Sequence, residues 1–369
     1  MAVGGRKESF HKIQPTDLTR VEVDCNYSNV TLLGKGRSSK IYSAKDEKTE
    51  TELVLKCIDK ETSNKMDFFR EFHYTYHLSP HPNIVKSYNV AFDTVKSYVF
   101  VQELASEGDL SHIVKMGCLE EDEVKRVVEQ ISSALEFVHS KELVHRDICL
   151  ENIFVYDKDF KKVKLGDFGL TKQIGTLVKK GNQRIHWSAP EVCQALAKEG
   201  YHISPIQDAW QLGILIFVCL TGFFPWSCAD ITDYRFNEWI AWHKRKTNKL
   251  PRGFRAFTPR LIRLFRRLLD PKTDMRYGVK EVRKYLSDPW IAKTKESIEV
   301  PFDEELSVHS PLNKRNTKLI RHSSTRSASS TCYAMGLKRG SSARSSASSL
   351  RAVALKRNNS TRSAIGKGI

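Results

Sequence analysis

The stretch Leu143–Gly169, LVHRDICLENIFVYDKDFKKVKLGDFG, decides how the chain is read. It carries His145-Arg146-Asp147, then Asn152, then Asp167-Phe168-Gly169. Between them, Ile153–Tyr156 and Lys162–Leu165 read as short apolar strands. A hairpin of that kind holds Asp147, Asn152 and Asp167 together over one cleft. A carboxylate to orient a hydroxyl, with two oxygen ligands for magnesium, is the set that phosphoryl transfer requires. Either tripeptide alone says little. The ordered set H-R-D-x-x-x-x-N, D-F-G and then Ala189-Pro190-Glu191 is specific, because chance would have to supply every spacing at once.

Composition sets the outer limits. A chain of 369 residues, 40% hydrophobic and 28% charged, suits a soluble globular protein with one large or two ordinary domains. The net charge of +17 is uneven: from Ser307 onward there are thirteen Lys and Arg and no Asp or Glu, leaving about +4 elsewhere. The eight cysteines form no CxxC pair, so a reduced, cytoplasmic protein is expected. Met1–Phe10 lacks the apolar run of a signal peptide, and Ala2 argues against myristoylation. The longest apolar run, Leu212–Leu220, falls well short of the ~20 residues needed to span a bilayer. No transmembrane segment is expected.

Toward the N-terminus, Val30–Leu33 and Ile41–Ala44 read as strands around the turn Gly34-Lys35-Gly36-Arg37-Ser38-Ser39. Glycines let backbone N–H groups approach phosphate oxygens. Leu53–Ile58 is a third strand with Lys56 inside it. A lysine in a strand is usually an edge residue with its head in water; behind a glycine-rich hairpin it is placed to reach phosphates. Asn64–Leu78 reads as a helix carrying Glu71, the expected partner of Lys56. His73 and His77 stand four apart, but no further ligand cluster accompanies them, so a structural role is expected. Asn83–Ala91 and Ser97–Glu103 read as strands, followed by a connector that opens a helix at Asp109. Glu120–His139 is amphipathic. After Gly169 a basic loop leads to Glu191, and Asp208 opens an apolar helix through Leu220. Tyr234–Lys244, Pro259–Leu269 and Val279–Leu286 read as helices, with Arg276 ahead of the last.

Residues from about 28 to 290 resemble a eukaryotic protein kinase. Within that family the chain is similar to the SH3-binding-domain kinase group, on the stretches Val163–Gly169, Ala189–Ala195, and Leu215-Ile216-Phe217 through Leu220–Trp226, with Gln102 at the back of the pocket. The resemblance implies an α+β, two-lobe fold, ATP with Mg2+, and phosphorylation of Ser or Thr in a protein substrate. It divides the chain into a leader (1–27), a kinase domain (28–291), and a linker with a Ser/Arg-rich tail (292–369). Lys56 and Glu71 would form the ion pair that positions phosphates, Asp147 would orient the acceptor hydroxyl, and Asn152 and Asp167 would bind the metal. Leu33, Gly34, Lys35, Gly36, Ser39, Ile41 and Val54 would cover the nucleotide, and the backbone of Glu103 and Ala105 would meet the adenine edge. Asp208 would hold the catalytic-loop backbone, and Arg276 would pair with Glu191.

The chain departs from the family pattern at several points. Ser/Thr kinases usually carry Lys two residues after the catalytic Asp; here it is Cys149. Losing one donor aimed at developing charge typically costs ~10²–10³-fold in rate. The threonine usual before the A-P-E motif aligns with Arg184, whose charge is available as compensation. Trp187 is similar to tyrosine kinases, but the catalytic loop is not. Val54 replaces the usual Ala over adenine. No P-x-x-P occurs among the twelve prolines, so SH3 binding is not expected.

Residues 307–369 hold few aromatics and much Ser, Arg, Lys and Ala. Such a segment buries too little apolar surface to offset chain entropy, and disorder is expected. Arg321-x-x-Ser324, Arg326-x-x-Ser329, Arg339-x-x-Ser342 and Arg357-x-x-Ser360 resemble sites for a basic-directed kinase, and Glu151 is placed to favour such a substrate. The tail's charge suits an anionic partner, with no motif for sequence-specific nucleic-acid reading. Two readings remain open: an active Ser/Thr kinase, or a catalytically impaired, nucleotide-binding pseudokinase scaffold. Cys149 and Arg184 favour the second; retention of Lys56, Glu71, Asp147, Asn152 and Asp167 favours the first.

Overall fold

The computed structural model describes residues 10–13, 15–36, 38–181, 184–196, 200–292 and 306–308. Five antiparallel strands build the N-terminal lobe: β1 (Tyr27–Lys35), β2 (Ser39–Asp46), β3 (Glu52–Asp59), β4 (Ser87–Asp93) and β5 (Ser97–Glu103), in the order β1-β2-β3-β5-β4. β3 and β5 lie inside the sheet and are its most apolar strands, as burial on both faces requires. One expected boundary moves. The strand read from Asn83 begins at Ser87, because Ile84 and Val85 serve the other lobe: Val85 N–H donates to Leu165 O (2.9 Å) and Leu165 N–H to Asn83 O (2.8 Å). Helix α1 (Lys65–Leu78) is capped by Asn64, whose side chain accepts from Met66 N–H. Its Phe68 and Phe69 are buried against Ile58 and Phe100. The leader also packs here. Arg20 pairs with Asp93, and Phe10 O lies 2.8 Å from His73 Nε2, giving that histidine a structural partner.

The C-terminal lobe is helical. α2 (Leu110–Met116) is capped by Asp109, and α3 (Glu121–Ser140) starts at a Glu120/Glu123 capping box. α4 (Pro190–Cys193) is one short turn, and α5 (Pro205–Thr221) is buried along almost its whole length. α5 starts three residues before Asp208, where the apolar run suggested it would, because Ser204 and Gln207 form a capping box and Pro205 takes the first turn. α6 (Tyr234–His243) and α7 (Pro259–Leu268) follow, each capped by the side chain before it, Asp233 and Thr258. The helix expected over Val279–Leu286 is present as a 3-10 helix over Val279–Tyr285. Its buried Val279, Val282 and Tyr285 recur every third residue, which suits three residues per turn.

Short strand pairs frame the cleft between the lobes. β7 (Ile153–Val155) pairs with β8 (Val163–Leu165), the hairpin expected from sequence. β6 (Leu143–Val144) pairs with β9 (Lys172–Gln173), and β10 (Leu177–Val178) with β11 (Tyr201–His202). Beyond the last helical turn, Leu306–Val308 return to the C-terminal lobe. Phe224 N–H donates to Leu306 O (2.9 Å), Val308 N–H donates to Gly222 O (3.2 Å), and Leu306 and Val308 are buried. Ser307 and Val308, assigned by composition to the tail, are therefore part of the packed lobe. The expectation of disorder over the remaining tail, and its four Arg-x-x-Ser sites, lie outside the described residues.

Candidate active site

The catalytic loop is suspended from α5. Asp208 is fully buried and accepts from His145 N–H (2.9 Å) and Arg146 N–H (2.8 Å), and His139 Nε2 stands 2.8 Å from it. Burial penalises the Asp208 charge, but His139 and these backbone donors outweigh it and hold the carboxyl below its ordinary range. Gln211 extends the anchor, accepting from Ile148 N–H at 2.9 Å. His145 Nε2 lies 3.0 Å from Gly166 O, which ties the catalytic loop to the start of Asp167-Phe168-Gly169. Burial lowers the His145 pKa, so the ring is neutral in this contact.

Above the loop, Lys56 forms ion pairs with Glu71 and with Asp167 (3.0 Å). Desolvation disfavours the lysine's charge, yet Asp167 and Glu71 together raise its pKa above the ordinary value. Burial raises the Glu71 pKa against the pull of Lys56. Asp167 is held at about 2, because Lys56 outweighs its desolvation. Gly169 is required at this point: a Cβ there would stand 2.9 Å from Glu71 Oε2 and 3.2 Å from Asp167 Oδ1. Asn152 Nδ2 donates to Asp147 O (2.8 Å) and Oδ2 (2.9 Å), which leaves the amide oxygen of Asn152 as its acceptor for a cation.

These groups open on one cleft of about 560 Å³. The expected nucleotide-covering residues Leu33, Gly34, Lys35, Gly36, Ser39, Ile41 and Val54 border it, as do Lys56, Glu71, Glu103, Ala105, Asp147, Asn152 and Asp167. Arg37 lies outside the described residues. Glu103 has a second engagement: its N–H donates to Lys86 O (3.0 Å) and its carboxylate pairs with Lys164 (2.6 Å). Sequence reasoning missed Phe154 and Tyr156, which also border the cleft. The alternation of β7 carries that signal, since Ile153 and Val155 face the core.

The departures from pattern meet in space. Cys149 is buried in the C-terminal-lobe core. Arg184 reaches across from the loop before α4, with Nη1 at 2.6 Å from Glu151 Oε2 and Nε at 3.5 Å from Asp147 Oδ1. Glu151, expected to greet a basic substrate residue, is paired within the chain. Farther out, Arg276 grips Glu191 through both nitrogens, at 2.8 and 2.9 Å. Arg146 donates to Leu170 O (2.8 Å) and to the Tyr201 hydroxyl (3.0 Å).

Comparison with known proteins agrees with this geometry. Residues 27–291 match the protein kinase domain. The chain is 39% identical over 277 residues to Serine/threonine-protein kinase SBK1 of Danio rerio, covering 74% of this chain and 72% of the relative. It is 41% identical to SBK1 of Mus musculus over 281 residues, covering 76% and 67%. With Serine/threonine-protein kinase meng-po of Drosophila melanogaster it shares 40% over 286 residues, covering 76% and 62%. The chain belongs to the protein kinase family, as a relative of the serine/threonine-protein kinases named SBK1.

Proposed function

We propose that this serine/threonine protein kinase transfers the γ-phosphoryl of ATP, with Mg2+, to Ser or Thr hydroxyls of a protein substrate, using the residues of the cleft described above. The observation that carries the reading is the assembled chain Glu71–Lys56–Asp167, facing Asp147 and Asn152 across one cavity. Lys56 orients the α- and β-phosphates and is itself held by Glu71. Asp147 accepts the hydroxyl hydrogen as the acceptor oxygen bonds to the γ-phosphorus and ADP departs. Asn152 and Asp167 hold the metal. The donor set fits a hard divalent cation: one carboxylate ionised throughout the neutral range and one amide oxygen, both on the cleft. A bound Mg2+ offsets phosphate charge. The backbone carbonyl of Glu103 and the amide of Ala105 meet the adenine edge, under Val54.

Among the described residues no helix is long and apolar enough to cross a membrane. We assign a cytoplasmic location from the reduced-cysteine composition, and an anionic partner for the basic tail from its charge. The absence of P-x-x-P argues against SH3 binding.

The test is transfer of labelled phosphate from Mg-ATP by the full chain to a mixed Ser/Thr/Tyr peptide library, beside Asp147→Asn. Labelling of Ser or Thr that disappears in Asp147→Asn supports the assignment. Nucleotide binding without transfer in the native protein would replace it with the pseudokinase-scaffold reading.

A further inference from the structure

Two features of the cleft that are each unfavourable alone explain one another. Two residues after Asp147 the catalytic loop has Cys149, buried in the C-terminal-lobe core, and not a cation. The loop before α4 sends Arg184 into the cleft, where it is in contact with both carboxylates of the catalytic loop, Asp147 and Glu151. The other cations bordering the cleft are committed elsewhere or stand away from Asp147. Lys56 is paired with Glu71 and Asp167, and Arg70 with Asp67 at 2.5 Å. Lys172 lies beside Arg70 and Arg146, whose positive charges lower its pKa after burial does. Lys35 sits on the exposed end of β1. Among the described residues, Arg184 is the cation in contact with Asp147.

Arg184 is also incompletely used. Its side chain is 14% exposed, and Nε is buried without a hydrogen-bond partner among the described residues. Nη1 anchors the group on Glu151, while Nε at 3.5 Å from Asp147 Oδ1 is too distant and misaligned to be a hydrogen bond. A buried donor is rarely left idle in a native structure. A phosphoryl oxygen arriving beside Asp147 would fill that vacant direction. Burial disfavours the Arg184 charge, but Cys149, Glu151 and Asp147 raise its pKa above the ordinary arginine value, so it is a permanent cation.

We infer that Arg184 supplies, from the activation loop between Gly169 and Glu191, the positive charge at the transferring phosphoryl group that Cys149 does not supply from the catalytic loop. The inference rests on the phosphoryl-transfer reading above. As the γ-phosphorus leaves ADP and joins the acceptor oxygen, negative charge spreads over its peripheral oxygens. A guanidinium anchored by Glu151 meets that charge with little reorganisation, which is where an aimed donor has most effect. The anchor has a second consequence: Glu151 is occupied by the chain's own arginine.

The experiment compares the full-length native protein with Arg184→Gln, Arg184→Lys and the double variant Arg184→Gln/Cys149→Lys, each checked for folding by thermal unfolding. The readouts are kcat and KM for Mg-ATP on a peptide that the native protein labels. Arg184→Gln is expected to lower kcat by ~10²-fold with KM for ATP little changed. Arg184→Lys should retain more rate than Arg184→Gln. The double variant should recover most of the loss, because it returns a cation two residues after Asp147 in place of the one removed at position 184. A native rate in Arg184→Gln would overturn the inference. So would a folded Arg184→Gln whose loss neither other variant reduces, because the arginine would then be only structural. If Arg184→Gln fails to fold, the rate of the double variant decides: near-native supports the inference, and an inactive folded protein overturns it. A native protein that labels no peptide would overturn the transfer reading itself, an outcome distinct from all of these.

Discussion

Arg276 meets Glu191 in a two-pronged ion pair, Nη1 to Oε1 at 2.8 Å and Nη2 to Oε2 at 2.9 Å, across 85 residues of sequence. The Arg276 side chain is fully buried, its Nε donates to Asp270 O (2.9 Å), and its guanidinium lies over the Trp210 ring at 4.9 Å. The pair therefore fastens the end of the activation segment to the core of the helical lobe. Arg276→Met leaves Glu191 without its partner and should destabilise the protein by about 3–5 kcal/mol. Arg276→Lys should recover little, since an ammonium cannot match both oxygens. Denaturant unfolding of the two variants measures this.

Asp208 provides a pH test. Its pKa is depressed in the folded protein, so its contribution to stability is fully present above the ordinary carboxylate pKa and fades as pH falls through the lower folded value. Asp208→Asn should cost about 1–3 kcal/mol at pH 7. The gap between variant and native protein should narrow below pH ~4. A gap that stays constant down to acid unfolding would show that the charge on Asp208 is not what matters.

Gly169→Ala places a methyl group against Glu71 and Asp167. Displacing either carboxylate disturbs Lys56, and misplacement of about 1 Å in such a constellation can cost ~10²-fold in rate. The fold should survive, because the contact is with side-chain ends. Steady-state kinetics beside a thermal melt separates the two effects.

Leu306 and Val308 make a prediction about where the domain ends. Both side chains are buried in the core of the C-terminal lobe, and their backbone pairs with the segment Gly222–Phe224. Burying such a side chain contributes up to about 1.5–3 kcal/mol. A chain ending after residue 292 should therefore melt below one ending after residue 308. Equal melting temperatures would mean that the segment adds nothing in solution.

Arg146 is held by the Tyr201 hydroxyl and Leu170 O, while Thr176, whose hydroxyl donates to Gln173 O at 2.7 Å, stands on the nearby β9–β10 turn. Thr176→Ala is expected to lower activity in the fully activated enzyme if a negative charge on that residue draws on Arg146. Phosphopeptide mapping alongside the assay checks it, and unchanged activity would assign the hold on Arg146 to Tyr201.

The sequence alone determined the order of elements, the residues that gather at the cleft and the two-lobe architecture. Asp147, Asn152 and Asp167 stand within one hairpin of each other, and local spacing is visible in a string of residues. Apolar periodicity likewise located α1, α3 and α7 to within a residue at each end. Where it erred, the cause lay elsewhere in the chain. Ile84 and Val85 read as part of β4 because they are apolar, but Val85 N–H bonds to Leu165 on β8 and Ile84 bridges to the same residue. Ser307 and Val308 read as tail because nothing nearby in sequence indicates the Gly222–Phe224 edge on which they dock. Tertiary structure alone decided where the charge of Arg184 stands. Its number in the chain is far from Asp147, and only folding of the activation loop brings its charge to the carboxylates beside Cys149. Charge acts through distance in space, and a sequence records only distance along the backbone.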